Sequence, residues 1–209
     1  MKHKGWFISI EGPDGSGKST VGAYIEKQLT EEGYSVLFTR EPGGIEIAEE
    51  IRSIILDPKN TAMDQKTEAL LYAASRRQHL IQKILPAIEE GKLVLCDRFV
   101  DSSLAYQGAG RGIGIDAVLS INQFAIEGHF PDLTIYLDLS AEAGLKRLKD
   151  RVFLDRLDRE ALDFHQRVTA GYQEVLARFS DRIVSVDASQ APEKVAADAL
   201  DYIHQRILT

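Results

Sequence analysis

From Gly12 to Ser19 the chain reads Gly-Pro-Asp-Gly-Ser-Gly-Lys-Ser, which fits G-x-x-x-x-G-K-[ST]. The glycines let successive backbone N–H groups curl inward toward an anion. A helix starting behind them adds the positive end of its dipole. In such a loop Lys18 reaches the β- and γ-phosphates of a nucleoside triphosphate, and the Ser19 hydroxyl ligates Mg²⁺. Gly12, Asp14, Gly15, Ser16, Gly17, Lys18, Ser19 and Thr20 form the expected triphosphate cradle. A chance match in a chain of this length is on the order of one in a hundred. The plain alternative is a glycine-rich turn; an apolar strand before it and a periodic segment after it weigh against that.

Such a loop serves switches, motors, synthetases and kinases alike. A GTPase switch would carry D-x-x-G after the third strand and N-K-x-D for guanine. Here Asp97 is followed by Arg98, Phe99 and Val100, and N-K-x-D is absent. Arg40 and Arg98 each close a predicted strand, where guanidinium groups grip phosphate with paired hydrogen bonds. Arg98 alone reads equally as the partner of a carboxylate; its clustering with Arg40 and the glycine loop favours a second anionic ligand, such as a nucleoside monophosphate. Asp97 stands where an acidic residue holds the metal through water in P-loop enzymes. Tyr72 and Arg76 share a helical face, as do Ser103 and Gln107 with Tyr106 beside them. Ring, guanidinium, amide and hydroxyl together suit a nucleobase, although each pair taken singly reads as ordinary surface. The stretch "LKRLKDRVFLDRLDRE", residues 145–160, is either a solvated helix laced with ion pairs or a lid that brings an arginine to the transferred group.

These residues need a scaffold. "GWFISI", "YSVLFT", "KLVLCD", "LTIYLDL" and "RIVSVD" are short, β-branched or aromatic runs that predict buried strands. Helical spacing predicts helices over 21–32, 44–56, 64–90, 101–107, 115–128, 158–179 and 192–207. Ile47, Ile51, Ile54 and Ile55 are expected on the inner face of the second. Leu70, Ala74, Ile81, Ile84, Leu85 and Ile88 are expected inward on the third. That long helix should be capped by Asp64 and kinked by Pro86. Alternating strands and helices imply an α/β protein, a five-stranded parallel sheet with helices on both faces. Ligands of such sheets bind at the carboxyl ends of the strands. Glycine loop, "TREPGG" and "DR" all fall at that edge.

The 209 residues imply one domain, 1–209, with a small mobile insertion. Basic residues number 25 and acidic residues 32, a net charge of −7. That balance disfavours duplex nucleic-acid binding, which leans on positive fields. The one cysteine, Cys96, excludes an intrachain disulfide and reads as packing within a strand. Histidines spaced without an H-x-x-x-H pair disfavour zinc. The apolar run near the N-terminus is broken by Glu11, too early for a secretory signal, and no stretch reaches membrane length. A cytoplasmic protein is expected.

"FISIEGPDGSGKST", "TREPGG", "TEALLYAASRRQH", "CDRFVDSSLAYQG", "RGIG" and "PDLTIYLDL" together resemble the bacterial thymidylate kinases. The resemblance runs from near residue 7 to about 165, and its motifs stand in the family's order. It implies a P-loop kinase fold with a small helical lid at about 141–160, and ATP-dependent phosphorylation of dTMP to dTDP with Mg²⁺ by a cytoplasmic homodimer. By motif it places Asp14 near the sugar 3′-hydroxyl and Arg98, helped by Arg40, on the acceptor phosphate. Arg76 and Gln107 fall on the thymine edge with Ser103 close by, Tyr72 on the face of the base, Tyr106 near the sugar 2′ position and Arg52 at the pocket rim. Tyr72 departs from the phenylalanine of many relatives. Members whose glycine loop lacks arginine take their catalytic arginine from the lid; this loop lacks one, so Arg151 is the expected residue, with Arg147 next and near ATP. Ser19 and Asp97 are the expected metal residues. The competing readings are a kinase for another nucleotide or nucleoside, and a regulatory protein that uses ATP only to change shape.

Overall fold

The computed structural model describes residues 5–148 and 155–208. Among the described residues, five strands form one parallel sheet in the order β2-β3-β1-β4-β5. They are β1 (Trp6–Glu11), β2 (Val36–Arg40), β3 (Leu93–Asp97), β4 (Leu133–Asp138) and β5 (Ile183–Asp187). All five runs expected as strands are strands. Successive side chains of a strand point to opposite faces, and both faces of this sheet are covered. Phe7, Val94 and Cys96 enter one buried cluster, while Ile8, Ile10, Leu93 and Leu95 enter the other.

On the second face lie α1 (Lys18–Glu31) and α9 (Pro192–Arg206), burying Val21, Ile25, Leu29, Val195, Ala199 and Ile203. The first face is covered by α3 (Gln65–His79), α4 (Leu85–Glu89), α5 (Val100–Ser103), α6 (Ile115–Ile126) and α8 (Leu162–Arg178). Flanking them are α2 (Glu46–Leu56), packed along α3, and α7 (Ala141–Leu148), which opens the expected lid.

The long helix expected over 64–90 is three joined pieces. Asp64 caps it, its Oδ1 accepting from the backbone N–H groups of Lys66 at 3.0 Å and Thr67 at 3.1 Å. Leu80–Ile84 then widens into a π-helical turn between α3 and α4. Pro86 lies just beyond it; lacking an N–H, it cannot close the ordinary bond to Gln82, and the wider turn absorbs the mismatch. The helix expected over 101–107 continues past α5 as a π-helical stretch, Leu104–Gly110. Within the expected lid, the described residues are α7 and, at 156–159, turns rather than a helix.

Several apolar residues expected inside are not. Ile55, Ile84 and Ile88 are buried, but Ile47, Ile54, Leu70, Ala74 and Ile81 are exposed. Ala48 and Ala73 take the inner positions instead. Small side chains let α2 and α3 approach closely, which turns the larger ones outward.

Candidate active site

β1 delivers the chain to Gly12, and three residues with positive φ (Gly12, Gly15 and Gly17) bend it into α1, which starts at Lys18. Gly15 also lies hard against the backbone of Gly144 on α7, where no side chain fits. Lys18 folds back over the loop. Its ammonium donates to the carbonyls of Gly12 at 3.1 Å and Pro13 at 2.8 Å, and to Ser16 Oγ at 3.4 Å. Burial and the neighbouring Arg98 charge lower its pKa from 10.5 to about 8, against the pull of Asp14 and Asp97. Gly15, Gly17, Ser19 and Thr20 line a cleft of about 400 Å³, while Gly12 and Ser16 lie behind them.

β3 places Asp97 beside both Ile10 and Arg40 in the sheet register. Ser19 Oγ donates to Asp97 Oδ2 at 2.6 Å. One hydroxyl and one carboxylate converge there beside the ammonium. Hard oxygen donors of this kind suit Mg²⁺, which is held by one or two carboxylates together with substrate phosphates.

The next residue, Arg98, adopts φ 72, a left-handed conformation that costs a side chain with a Cβ. Two bonds hold the turn: Arg98 N–H to Ile10 O at 2.9 Å and Phe99 N–H to Glu11 Oε1 at 2.7 Å. Its guanidinium therefore turns into the cleft. It donates to Asp14 Oδ1 at 2.5 Å, Tyr106 OH at 3.2 Å, Ser102 Oγ at 3.1 Å and Gly12 O at 3.2 Å. Arg98 thus does pair with a carboxylate, as the plainer sequence reading had it. That carboxylate belongs to the glycine loop, so the pair joins cradle and cleft. Tyr106 OH donates to the other oxygen of Asp14 at 2.7 Å. Burial alone would raise the Asp14 pKa; Arg98, Lys18 and the Tyr106 bond outweigh it and hold it at about 2.

Arg76 is almost fully buried at the far wall. Nε donates to Glu41 Oε2 at 2.8 Å, Nη2 to Phe99 O at 2.9 Å, and Nη1 to Ser103 Oγ at 3.0 Å and to Asn122 Oδ1. Four of the five N–H donors of a guanidinium are used by described residues, which leaves one on Nη2. Gln107 lies on the π-helical stretch next to this wall, and its Nε2 donates to Glu68 Oε1 at 2.9 Å. Tyr72 is half-buried one turn before Arg76 and also lines the cleft. At the rim, Arg40 and Arg52 each donate to Pro42 O at 2.9 Å, and Arg40 also pairs with Glu49. Arg147 on α7 donates to Gly15 O at 3.2 Å and Ala188 O at 3.0 Å, which pins it beside the cradle. Arg151 lies outside the described residues.

Every expected site residue among those described thus lies in or directly behind one cleft. Sequence reasoning missed the residues that brace it. Glu11 accepts from Phe99 N–H, Ser102 and Tyr172 behind the loop. Burial and the nearby Asp101 raise its pKa to about 7, despite the Ser102 bond and Arg98. Glu41 holds both Arg76 and His79, whose Nδ1 lies 3.0 Å from Oε1. Glu41, His79 and Cys96 are, among the described residues, a grouping with metal-binding atom types. It is sealed, and its atoms already have partners: His79 Nε2 meets Thr39 Oγ1 at 2.8 Å, and Cys96 Sγ donates to Arg98 O at 3.1 Å. Glu41 and Glu68 stand inside "TREPGG" and "TEALLY", but a motif does not show which donors a carboxylate meets until the fold places them.

The thymidylate kinase family model matches residues 10–199. A thymidylate kinase of Geobacillus sp. (strain WCH70) is 58% identical, with 98% of each chain covered. One of Bacillus licheniformis is 61% identical over 91% of each. Among solved structures, a thymidylate kinase from Ehrlichia chaffeensis superposes with a TM-score of 0.80 at 28% identity, covering 95% of this chain and 98% of the other.

Proposed function

This chain belongs to the thymidylate kinase family, and from that premise we propose how its cleft divides the labour of phosphorylating dTMP to dTDP with ATP as donor. The observation that carries the reading is the continuity of the cleft. Lys18 and Ser19 stand at one end, Arg76 and Gln107 at the other, and the Asp14–Arg98–Tyr106 knot lies between them.

ATP enters with its phosphates in the glycine loop, near Thr20 and Arg147. dTMP lies across the cleft with its phosphate toward Arg98, Arg40 assisting from the rim. Its base rests against Tyr72 and meets Arg76 and Gln107 at the edge, with Ser103 beside them and Arg52 near the opening. Asp14 accepts from the sugar 3′-hydroxyl, and Tyr106 packs where a 2′-hydroxyl would lie. Transfer is direct and in line: a phosphate oxygen of dTMP attacks the γ-phosphorus. The acceptor is already anionic at neutral pH, so the chain supplies no nucleophile; it positions the reactants and stabilises charge. Lys18 faces the γ-phosphoryl oxygens, and Arg151 is the arginine assigned to them from the lid. Ser19 and Asp97 would hold Mg²⁺, which when bound neutralises charge between the β- and γ-phosphates.

The whole chain is read as one P-loop kinase domain with a mobile lid at about 141–160. A second copy of the chain is proposed against the face formed by α2, α3 and α6. There Ile47, Ile54, Leu70, Ile81 and Phe124 are exposed, and α3 packs against both of its neighbours. Among the described residues no helix is long and apolar enough to cross a membrane. A cytoplasmic location belongs to the same reading, as do small-molecule partners rather than nucleic acid.

The decisive experiment follows ADP release with dTMP, dUMP, UMP, dCMP and AMP as acceptors. dTMP is expected to give the highest kcat/KM. Preference for a purine or ribonucleotide acceptor would overturn the assignment of the base wall, and ADP release independent of any acceptor would favour the shape-changing ATP binder.

A further inference from the structure

We propose that Glu68 is a positioning residue for base selection: it orients the Gln107 amide so that an acceptor faces the cleft, and it links that orientation to the anchor of the lid. This rests on the reading of Arg76 and Gln107 as base contacts.

Glu68 lies in the first turn of α3, 1% exposed. Its Oε1 accepts from Gln107 Nε2 at 2.9 Å and Arg111 Nε at 3.2 Å; its Oε2 accepts from Arg111 Nη2 at 3.1 Å and Arg156 Nη2 at 2.5 Å. Burial favours the neutral acid, but the bonds and charges of Arg111, Gln107 and Arg156 outweigh it and hold the pKa below the ordinary glutamate value. An ionised carboxylate only accepts. Gln107 must therefore turn its NH₂ toward Glu68, which leaves Oε1 as the acceptor it offers the cleft. Thymine has an N3–H donor beside an O4 acceptor. The Gln107 acceptor and the remaining Arg76 donor complement that pair. Cytosine reverses both positions, with a bare N3 and an N4 amino group. Turned over, Gln107 would set donor against donor at thymine N3, and the selectivity of the wall would fall.

The two arginines extend the effect. Arg156 lies in the C-terminal part of the expected lid, and its Nε also donates to Ile55 O at 2.9 Å, which fastens that end of the lid to α2. Arg111 pairs with Glu160 at 2.5 Å and lies over the Phe164 ring at 4.6 Å. The same carboxylate thus holds the base-reading amide and the lid anchor.

The test is a double-mutant cycle on Glu68→Gln and Gln107→Ala, reading kcat/KM for dTMP, dUMP and dCMP. Glu68→Gln is expected to lower the dTMP:dCMP ratio about tenfold, the effect of one misdirected hydrogen bond, mainly through KM for dTMP. The dTMP:dUMP ratio should hold, since both bases share the N3–H and O4 pattern. In the Gln107→Ala background, the same substitution should move the dTMP:dCMP ratio by less than about twofold. An unchanged ratio in the single variant, equal loss in both backgrounds, or a fall in Tm alone would each overturn the proposal. If Gln107→Ala itself leaves dTMP use intact, the base-wall reading fails, and this inference with it. Should Glu68→Gln not fold, Glu68→Asp keeps the charge facing both arginines but shortens the reach to Gln107; an unchanged dTMP:dCMP ratio there would be equally fatal.

Discussion

Lys18 is a buried ammonium beside another cation, and this has a measurable consequence. With its pKa lowered to about 8, a fraction of the free protein holds it neutral at slightly alkaline pH. Triphosphate oxygens favour the charged form, so the pKa rises again when ATP binds. Binding near pH 8 should therefore take up a proton, and ATP affinity should fall as pH rises through that value. Calorimetry in buffers of different ionisation enthalpy measures the uptake directly. Lys18→Ala should abolish both the uptake and nearly all turnover. For Arg151 the expectation is kinetic: Arg151→Ala should lower kcat by roughly 10³ to 10⁵, about 4 to 7 kcal/mol of barrier, with little change in KM for dTMP. If Arg147→Ala shows that signature and Arg151→Ala does not, the role passes to Arg147. That Lys18 and Arg98 would stand in one cleft was legible in the sequence, because a glycine loop and a strand end fix where they lie. The braces Glu11 and Glu41 were not, because a buried carboxylate looks like any other acid until its partners are placed.

At the scale of elements, the glycine loop and α7 depend on one another. Gly15 has φ 79 and meets the Gly144 backbone, so Gly15→Ala would meet both strain and a backbone clash. KM for ATP should rise by an order of magnitude or more, as expected for displaced phosphate-binding amides, while dTMP binding, measured by dTMP titration without ATP, stays near normal. The strands were readable from composition alone, because a parallel strand covered on both faces reads as a nearly continuous apolar run. Helix faces were less readable. Periodicity marks the stripe that carries Leu70, Ala74 and Ile81 but does not say what covers it. The π-helical stretch at Leu104–Gly110 was also unseen; no propensity encodes it, and it depends on how α5 and α6 pack.

For the whole molecule, five of the eight large apolar side chains exposed among the described residues lie on the outward stripe: Ile47, Ile54, Leu70, Ile81 and Phe124. Phe124 is 87% exposed and Leu70 55%, on neighbouring helices, as expected of a surface that meets another copy. Leu70→Glu combined with Phe124→Glu should yield monomers in sedimentation velocity at concentrations where the parent chain is a dimer; a parent that is already monomeric would remove the proposed pairing. Lid closure should also protect the γ-phosphoryl group from water, so ATP hydrolysis without dTMP should be slow beside transfer. The amino-acid sequence by itself determined the α/β class, the strand order along the chain, the glycine loop and the cations around it, because each follows from local geometry or from residue type. Only the tertiary structure decided which donors were already used, which way the Gln107 amide faces, and which apolar faces remain open. Those properties depend on groups distant in sequence meeting within hydrogen-bond or van der Waals distance.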